Sequence, residues 1–377
     1  EQNMSVRMKV LAVCPMPQDG TAWWRVISPL SVLREQSQGA FDFDVASGTD
    51  HVQISKCDLL LMQRPIRPED LAYIHFAKRQ GVPVVVEYDD DYTGVPANNP
   101  RMMQYMAPDT QQRVREIIGA ADVVLTSTSE LKNRWRALNK RIAIIPNAWD
   151  DRFVVNRGED RLPTLNIMWR GGDSHNQDLD QFSQAMVRAA WEGEPALWHF
   201  VGSSAWSIHD KMPPASITEY PFADVINYFN LLGQLRPNIL VVPLADTPFN
   251  RAKSNISVME GAWAGAAVLA PDWEDWQAPG VTHYKNAVDF GFKLTEMTKK
   301  PRAELASMAQ ATWDAVRDNM LVSRANKLRS AIFAALIDEK RKERHASRSR
   351  DDKLAEIVGM AIEQQQPEAP QAQEQPQ

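Results

Sequence analysis

The chain is short of cysteine, of excess positive charge and of long apolar runs, and each shortage excludes something. Cys14 and Cys57 are the only two cysteines in 377 residues, too few for a disulfide framework, and both sit inside apolar, strand-like runs. They read as buried thiols in a reducing compartment, and no cysteine–histidine spacing suited to zinc occurs. No apolar run approaches the ~20 residues that a bilayer-spanning helix needs, and residues 1–5 lack the apolar core of a secretory signal. The expectation is a cytoplasmic chain without a membrane span, with the residues before Met8 a short extension. A formal net charge of −6 excludes a surface built to coat nucleic acid but allows a local basic cleft.

What is present is the composition of a globular protein, 44% hydrophobic and 24% charged, in a chain long enough for two domains with separate cores. Buried strands are expected at residues 8–14, 41–45, 57–63, 82–87 and 122–126, separated by helical stretches such as 68–80 and 111–120. A second series follows at 165–169, 197–202, 217–220, 237–244 and 266–270, with helices at 222–232, 287–299 and 302–339. Strands alternating with helices predict doubly wound parallel sheets. The polar segment 156–163 reads as a linker, giving a first domain over 1–155 and a second over 156–340. Residues 341–377, a charged run followed by Gln/Pro-rich low complexity, are expected to be a disordered tail.

The stretch 248–271 organises the chain. A polar loop with Asn250, Arg251, Lys253 and Ser254 leads into a helix with apolar Ile256, Met259 and Trp263, a turn at Gly265, and a buried strand. A helix starting after a basic loop offers free backbone N–H groups and the positive end of its dipole, which suits a phosphate. Glu260, about two turns along, can accept hydrogen bonds from a sugar hydroxyl pair. Arg170-Gly171-Gly172 follows the first strand of the second series, and paired glycines let backbone approach a pyrophosphate closely. His175, three residues on, either reaches the cleft or is a surface or capping residue at the start of the next helix. Early in the chain, Arg25 either points into a cleft toward a phosphate or acceptor, or is a surface arginine.

The strand at 82–87 runs into Glu87-Tyr88-Asp89-Asp90-Asp91, and ligands of open α/β sheets bind beyond the carboxyl ends of strands. Crowded carboxylates repel, which can poise one as a base. On an extended chain Asp89 and Asp91 share a side and Asp90 points away. The alternatives are a Mg²⁺ or Mn²⁺ site, or one helix-capping Asp beside solvated neighbours. The methionines at 102, 103 and 106 follow, as an adaptable acceptor surface or as core filler.

The segment from Glu260-Gly261-Ala262-Trp263-Ala264-Gly265 to Ala270 resembles the donor-binding segment of GT-B glycosyltransferases, in particular the retaining group that includes glycogen and sucrose synthases. Pro146-Asn147-Ala148-Trp149-Asp150 is similar to the text that closes their first domain. The resemblance implies a GT-B fold, two Rossmann-like domains facing a cleft, the first for the acceptor and the second for the donor. It implies transfer of a hexosyl or pentosyl group from a nucleoside diphosphate sugar, with no other cofactor and no bound metal. Glu260 would hold the nucleotide ribose, while Arg170, Gly171, Gly172, Asn250, Lys253 and Ser254 would surround the diphosphate. Asp89, Asp91 and Arg25 would serve catalysis. Many members carry a second Glu where this chain has Ala252. The stretch 25–29, the Asp89 cluster and the Gly171-Gly172-Asp173-Ser174-His175 turn look like a subset from tailed phages and some bacteria. The acceptor expected is a glycan or small molecule, with hydroxymethylated pyrimidines of phage DNA as the alternative. A sugar-nucleotide epimerase or a nucleotide-binding interaction module is the second class.

Overall fold

The computed structural model describes residues 7–96, 103–153 and 163–363. Six parallel strands form the first sheet: β1 (Met8–Val13), β2 (Phe41–Ala46), β3 (Leu59–Gln63), β4 (Val84–Tyr88), β5 (Val123–Thr126) and β6 (Ile142–Ile144). Their spatial order is β2-β1-β3-β4-β5-β6. The near-continuous apolar sequence of these strands follows from burial on both faces. Val10, Ala12, Leu59, Leu61 and Val85 meet one helical layer, while Leu11, Val13, Leu60, Met62 and Val84 meet the other.

The second sheet contains β7 (Leu165–Gly171), β8 (Ala196–Gly202), β9 (Ile217–Pro221), β10 (Ile239–Val241), β11 (Ala267–Pro271) and β12 (Thr282–Tyr284), in the order β12-β11-β10-β7-β8-β9. All its pairings are parallel. The strand order reverses between β7 and β10 here, and between β1 and β3 in the first sheet. Helices leave such switch points to opposite faces, so each opens a crevice beyond the strand ends. These crevices face one another. β6 and β12 are absent from the sequence-based expectation; Thr282-His283-Tyr284 of β12 has no apolar run to mark a buried strand.

The chain crosses between the sheets twice, and the crossings clasp each other. Trp149 N–H donates to the Met320 carbonyl (2.7 Å), and Val322 N–H donates to that of Trp149 (2.9 Å). The Trp149 ring is buried against Trp263 (centroids 5.3 Å), Phe229 (5.6 Å), Trp24 (5.8 Å) and Trp313 (5.9 Å), so aromatic surface from both lobes is removed from water at this seam. A second seam lies across the cleft, where Phe249 and Ala252 join the first lobe's core and Thr128 Oγ1 donates to the Ala252 carbonyl (3.1 Å).

The last helix, Val322–Glu363, returns to the first sheet, burying Phe333, Leu336 and Ile337 among its core residues. Sequence reading assigned the segment up to 340 to the second domain and began a disordered tail at 341. The helix instead continues through Glu363, and some of its charges are paired with the first lobe. Arg141 grips Glu339 with two bonds (2.9 and 3.0 Å), and Arg341 reaches Asp58 (3.3 Å). The expected low-complexity tail at 364–377, the linker at 156–162 and Met102 lie outside the described residues.

Candidate active site

Two adjoining cavities occupy the cleft, of about 250 and about 500 Å³. Thr21, Asp89, Arg170 and Ile256 line both, so these residues mark the junction. The smaller cavity lies at the second sheet's switch point, between Arg170 at the end of β7 and the Val242–Leu244 turn after β10, and is closed by Lys253 and Ser254.

Lys253 and Ser254 precede Asn255, the N-cap of the helix Ile256–Ala264, whose side chain makes no capping bond. Val258 N–H donates to the Asn255 carbonyl (2.9 Å), which leaves the Ile256 and Ser257 N–H groups and the positive dipole end to face an anion. Val258, Met259 and Ala262 are buried, and Gly265 ends the helix in the left-handed conformation (φ 81°) that non-glycine residues resist. A Cβ on Gly261 would come within 2.5 Å of Val268 Cγ2, so glycine there lets the helix lie against β11. That close packing fixes where the helix begins.

Glu260 is 3% exposed and accepts from Arg170 Nε (2.8 Å) and the Tyr228 hydroxyl (2.9 Å). Burial pushes its carboxyl above the ordinary range, opposed by Arg170 and Tyr228. Gly171 and Gly172 line the larger cavity beside it. Lys253 Nζ lies 3.3 and 3.5 Å from the Asp90 carboxylate oxygens. Burial raises the pKa of Asp90, while Lys253 pulls it down. Ser254 Oγ accepts from Asn147 Nδ2 (2.6 Å), which joins the two lobes through the Pro146–Asn147 text.

Three expected site residues are placed otherwise. Asn250 is buried away from both cavities, donating to Asp178 Oδ1 (2.7 Å) and the Ala245 carbonyl (3.0 Å), so it shapes the loop from behind. Asp91 is 3% exposed and is held by Arg134 Nη1 and Thr93 Oγ1, both at 2.6 Å, away from the cavities. The chain bends after β4, so the alternation of an extended strand fails there, and Asp90 joins Asp89 on the cleft wall. Arg25 is 2% exposed and is gripped by Glu87 (2.9 and 3.0 Å), the Ile145 carbonyl (2.8 Å) and Asn147 Oδ1 (3.0 Å). It forms part of the larger cavity's wall, but its guanidinium serves a buried ion pair, placed there by a π-helical turn at Trp23–Ile27.

Of Asp89, Asp90 and Asp91, Asp89 alone has no cation at hydrogen-bonding distance among the described residues. The Tyr92 hydroxyl donates to its Oδ1 (3.2 Å). His175 also lines the smaller cavity, with Nδ1 2.9 Å from Asp178 Oδ2. The i, i+3 spacing of His175 and Asp178 was a visible sign of that pairing, whereas nothing local marked Tyr228 or Asp90. Among the described residues, no group of three or more His, Cys, Asp or Glu side chains is placed to hold a metal ion, and no helix is long and apolar enough to cross a membrane.

The sequence matches no protein-family model and no curated protein. Solved structures do match. Anabaena HepE, crystallised with UDP and glucose, superposes with a TM-score of 0.60 at 11% identity, covering 87% of this chain and 100% of that one. A glycosyltransferase from Rickettsia africae gives 0.59 at 11%, covering 88% and 99%. A UDP-N-acetylglucosamine 2-epimerase assigned in Listeria monocytogenes gives 0.53 at 13%, covering 88% and 97%. With its two facing parallel α/β sheets, this chain has the GT-B fold, and at these identities the likeness carries the fold alone.

Proposed function

We propose that the protein is a glycosyltransferase that takes a sugar from a nucleoside diphosphate donor, with UDP the first nucleotide to test, and passes it to an acceptor hydroxyl. The observation that carries the reading is the convergence of Arg170, Lys253 and the open N-terminus of the Ile256–Ala264 helix on one cavity. Negative charge grows on the departing diphosphate, and fixed positive groups there stabilise the transition state more than the ground state. Glu260, oriented by Tyr228, takes the ribose hydroxyls. Asp89, at the junction of the cavities, accepts the acceptor's proton as the anomeric carbon exchanges its bond to phosphate oxygen for one to the acceptor oxygen. The HepE likeness supports UDP as the first probe, since that protein was crystallised with it.

A glycan or small polyhydroxylated acceptor fits better than DNA. The larger cavity is walled by Trp24, Tyr105 and Phe222, faces suited to sugar rings, and by Asp89 and Asp224, carboxylates that repel a phosphate backbone, while its Asp19 is paired with Arg64. The test is thermal stabilisation by UDP and other nucleoside diphosphates, followed by detection of UDP release with acceptor present. No stabilisation by any of them would sink the donor site. The Listeria likeness favours one rival, epimerisation. A 2-epimer formed from UDP-N-acetylglucosamine without acceptor would replace transfer by that reaction, and binding without turnover would leave a nucleotide-binding module.

A further inference from the structure

We infer that His175 is a ligand of the donor's diphosphate and takes one proton from solvent as that diphosphate binds. The inference rests on the nucleotide reading above and adds to it a residue and a proton. His175 ends a short turn, Asp173–His175, that leads into the helix Asn176–Glu192. Its Nδ1 lies 2.9 Å from Asp178 Oδ2, and the other oxygen of Asp178 accepts from Asn250 Nδ2 (2.7 Å) and the Ala245 N–H (3.0 Å). A carboxylate surrounded by donors is an acceptor, so Nδ1 of His175 carries the hydrogen and Nε2 of the neutral ring is a lone pair.

The ring is seated for contact with a ligand. It lines the same cavity as Arg170 and Lys253, beside Gly171, where a Cβ would come within 2.7 Å of Trp169 Cζ2 and 3.2 Å of His175 Cδ2, so the glycine makes room chiefly for Trp169 with the imidazole packed next to it. Four charged groups face it: Asp178 from its own helix, Arg170 from the end of β7, Lys253 from the loop before the Ile256–Ala264 helix, and Asp90 from the turn after β4. Burial lowers its pKa below the ordinary value, Lys253 and Arg170 lower it too, and Asp178 works against them. The ring is therefore neutral at pH 7 in the free protein. A diphosphate in this cavity brings several negative charges against Arg170 and Lys253 and reverses the local field. A lone pair at Nε2 would then face phosphate oxygens, and a proton converts that repulsion into a charge-assisted hydrogen bond. A purely capping histidine would hold Asp178 and show no such linkage.

The test is calorimetric titration of the full chain with UDP at pH 6 to 8.5, in pairs of buffers with different ionisation enthalpies, for wild type and His175→Asn. Asparagine retains a donor for Asp178, and titration of UDP and of Asp90 is common to both proteins, so the difference in proton count reports His175. The expected difference approaches about half a proton per UDP between pH 6 and 7, the most that a one-unit rise gives. The affinity gap should widen from near unity at pH 8.5 to about three- to sevenfold at pH 6, as a pKa rise of about one unit from below the ordinary histidine value requires. Equal proton counts, or an affinity gap independent of pH, would overturn the inference while leaving nucleotide binding intact. Absence of UDP binding to the wild type would overturn both. Should H175N fail to fold, the histidine Cε1–H resonances of the wild type decide the matter. One of the seven histidines must move its titration midpoint upward by about one unit on saturation with UDP, and no movement refutes the assignment.

Discussion

Substitution of Lys253 and of Asp90 should change UDP affinity in opposite directions. Lys253 Nζ sits 3.3 Å from Asp90, with the two side chains 17% and 22% exposed. That separation is longer than a strong charge-assisted bond, and burial already disfavours the Asp90 carboxylate, so the pair is poised to yield to a better anion. A phosphate charge about 5 Å from the ammonium gains about 3 kcal/mol at an effective dielectric of ~20. Partial exposure and salt reduce this to about 1.5–2 kcal/mol, so Lys253→Ala should weaken UDP binding roughly 10- to 30-fold. Asp90 repels the same diphosphate from somewhat farther away, so Asp90→Asn should tighten binding about three- to fivefold, and both effects should shrink at higher salt. Isothermal titration at two ionic strengths measures all of this. Unchanged affinity in K253A, or a loss in D90N as large as that in K253A, would refute the electrostatic argument, the second because it would make Asp90 the support of Lys253 instead of its competitor for phosphate.

The neighbouring carboxylates should separate activity from stability. Asp89→Asn should cut turnover by about 10²- to 10⁴-fold at nearly constant UDP affinity, read by UDP release. Asp91→Asn, which weakens the buried contact with Arg134, should instead cost about 1–3 kcal/mol of stability in denaturant unfolding while the folded fraction keeps its turnover. Burial pushes the Cys14 thiol up to about 12 and Cys57 up to about 11, so at pH 8 their thiolate fractions are about 10⁻⁴ and 10⁻³. Neither should react with a disulfide reagent in the native chain, and both should react after denaturation. Trp149→Ala, which empties the centre of the aromatic seam, should destabilise the protein by about 3–5 kcal/mol, seen as an early unfolding transition.

How much was legible depended on the range of the cause. Ten of the twelve described strands, all but β6 and β12, were legible, chiefly because burial on both faces writes an unbroken apolar run, as in Val84-Val85-Val86 of β4 and Ile239-Leu240-Val241 of β10. The start of the Ile256–Ala264 helix and its end at Gly265 are also local signals. Side-chain direction in turns is not. Asp90 was expected to point away and Asp91 inward because extended-chain geometry was carried past the end of β4, where the backbone bends. Asn250 looked like a ligand because it sits in a polar loop, yet the partner that turns it inward, Asp178, is 72 residues away. Arg25 resembled a cleft arginine because no local pattern announced the π-helical turn that presents it to Glu87, 62 residues on.

Long-range pairing also explains how a chain of net charge −6 keeps a cationic site. Arg170 is matched to Glu260 across 90 residues, and Lys253 to Asp90 across 163, so each cation facing the smaller cavity holds a carboxylate when the site is free. Unmatched, two cations in so narrow a space would repel each other. The carboxylates hold both groups in place, at the cost of competing with an incoming anion. On the donor reading proposed above, nucleotide binding would be an exchange of partners. Lys253 would trade Asp90 for phosphate, and the Arg170–Glu260 pair would open so that arginine turns to phosphate and glutamate to ribose hydroxyls. Because both exchanges need the same ligand, the ribose and the diphosphate should bind cooperatively. Pyrophosphate alone or uridine alone should therefore bind far more weakly than the sum of their parts in UDP implies, and strictly additive affinities of the fragments would show that the pairs do not open.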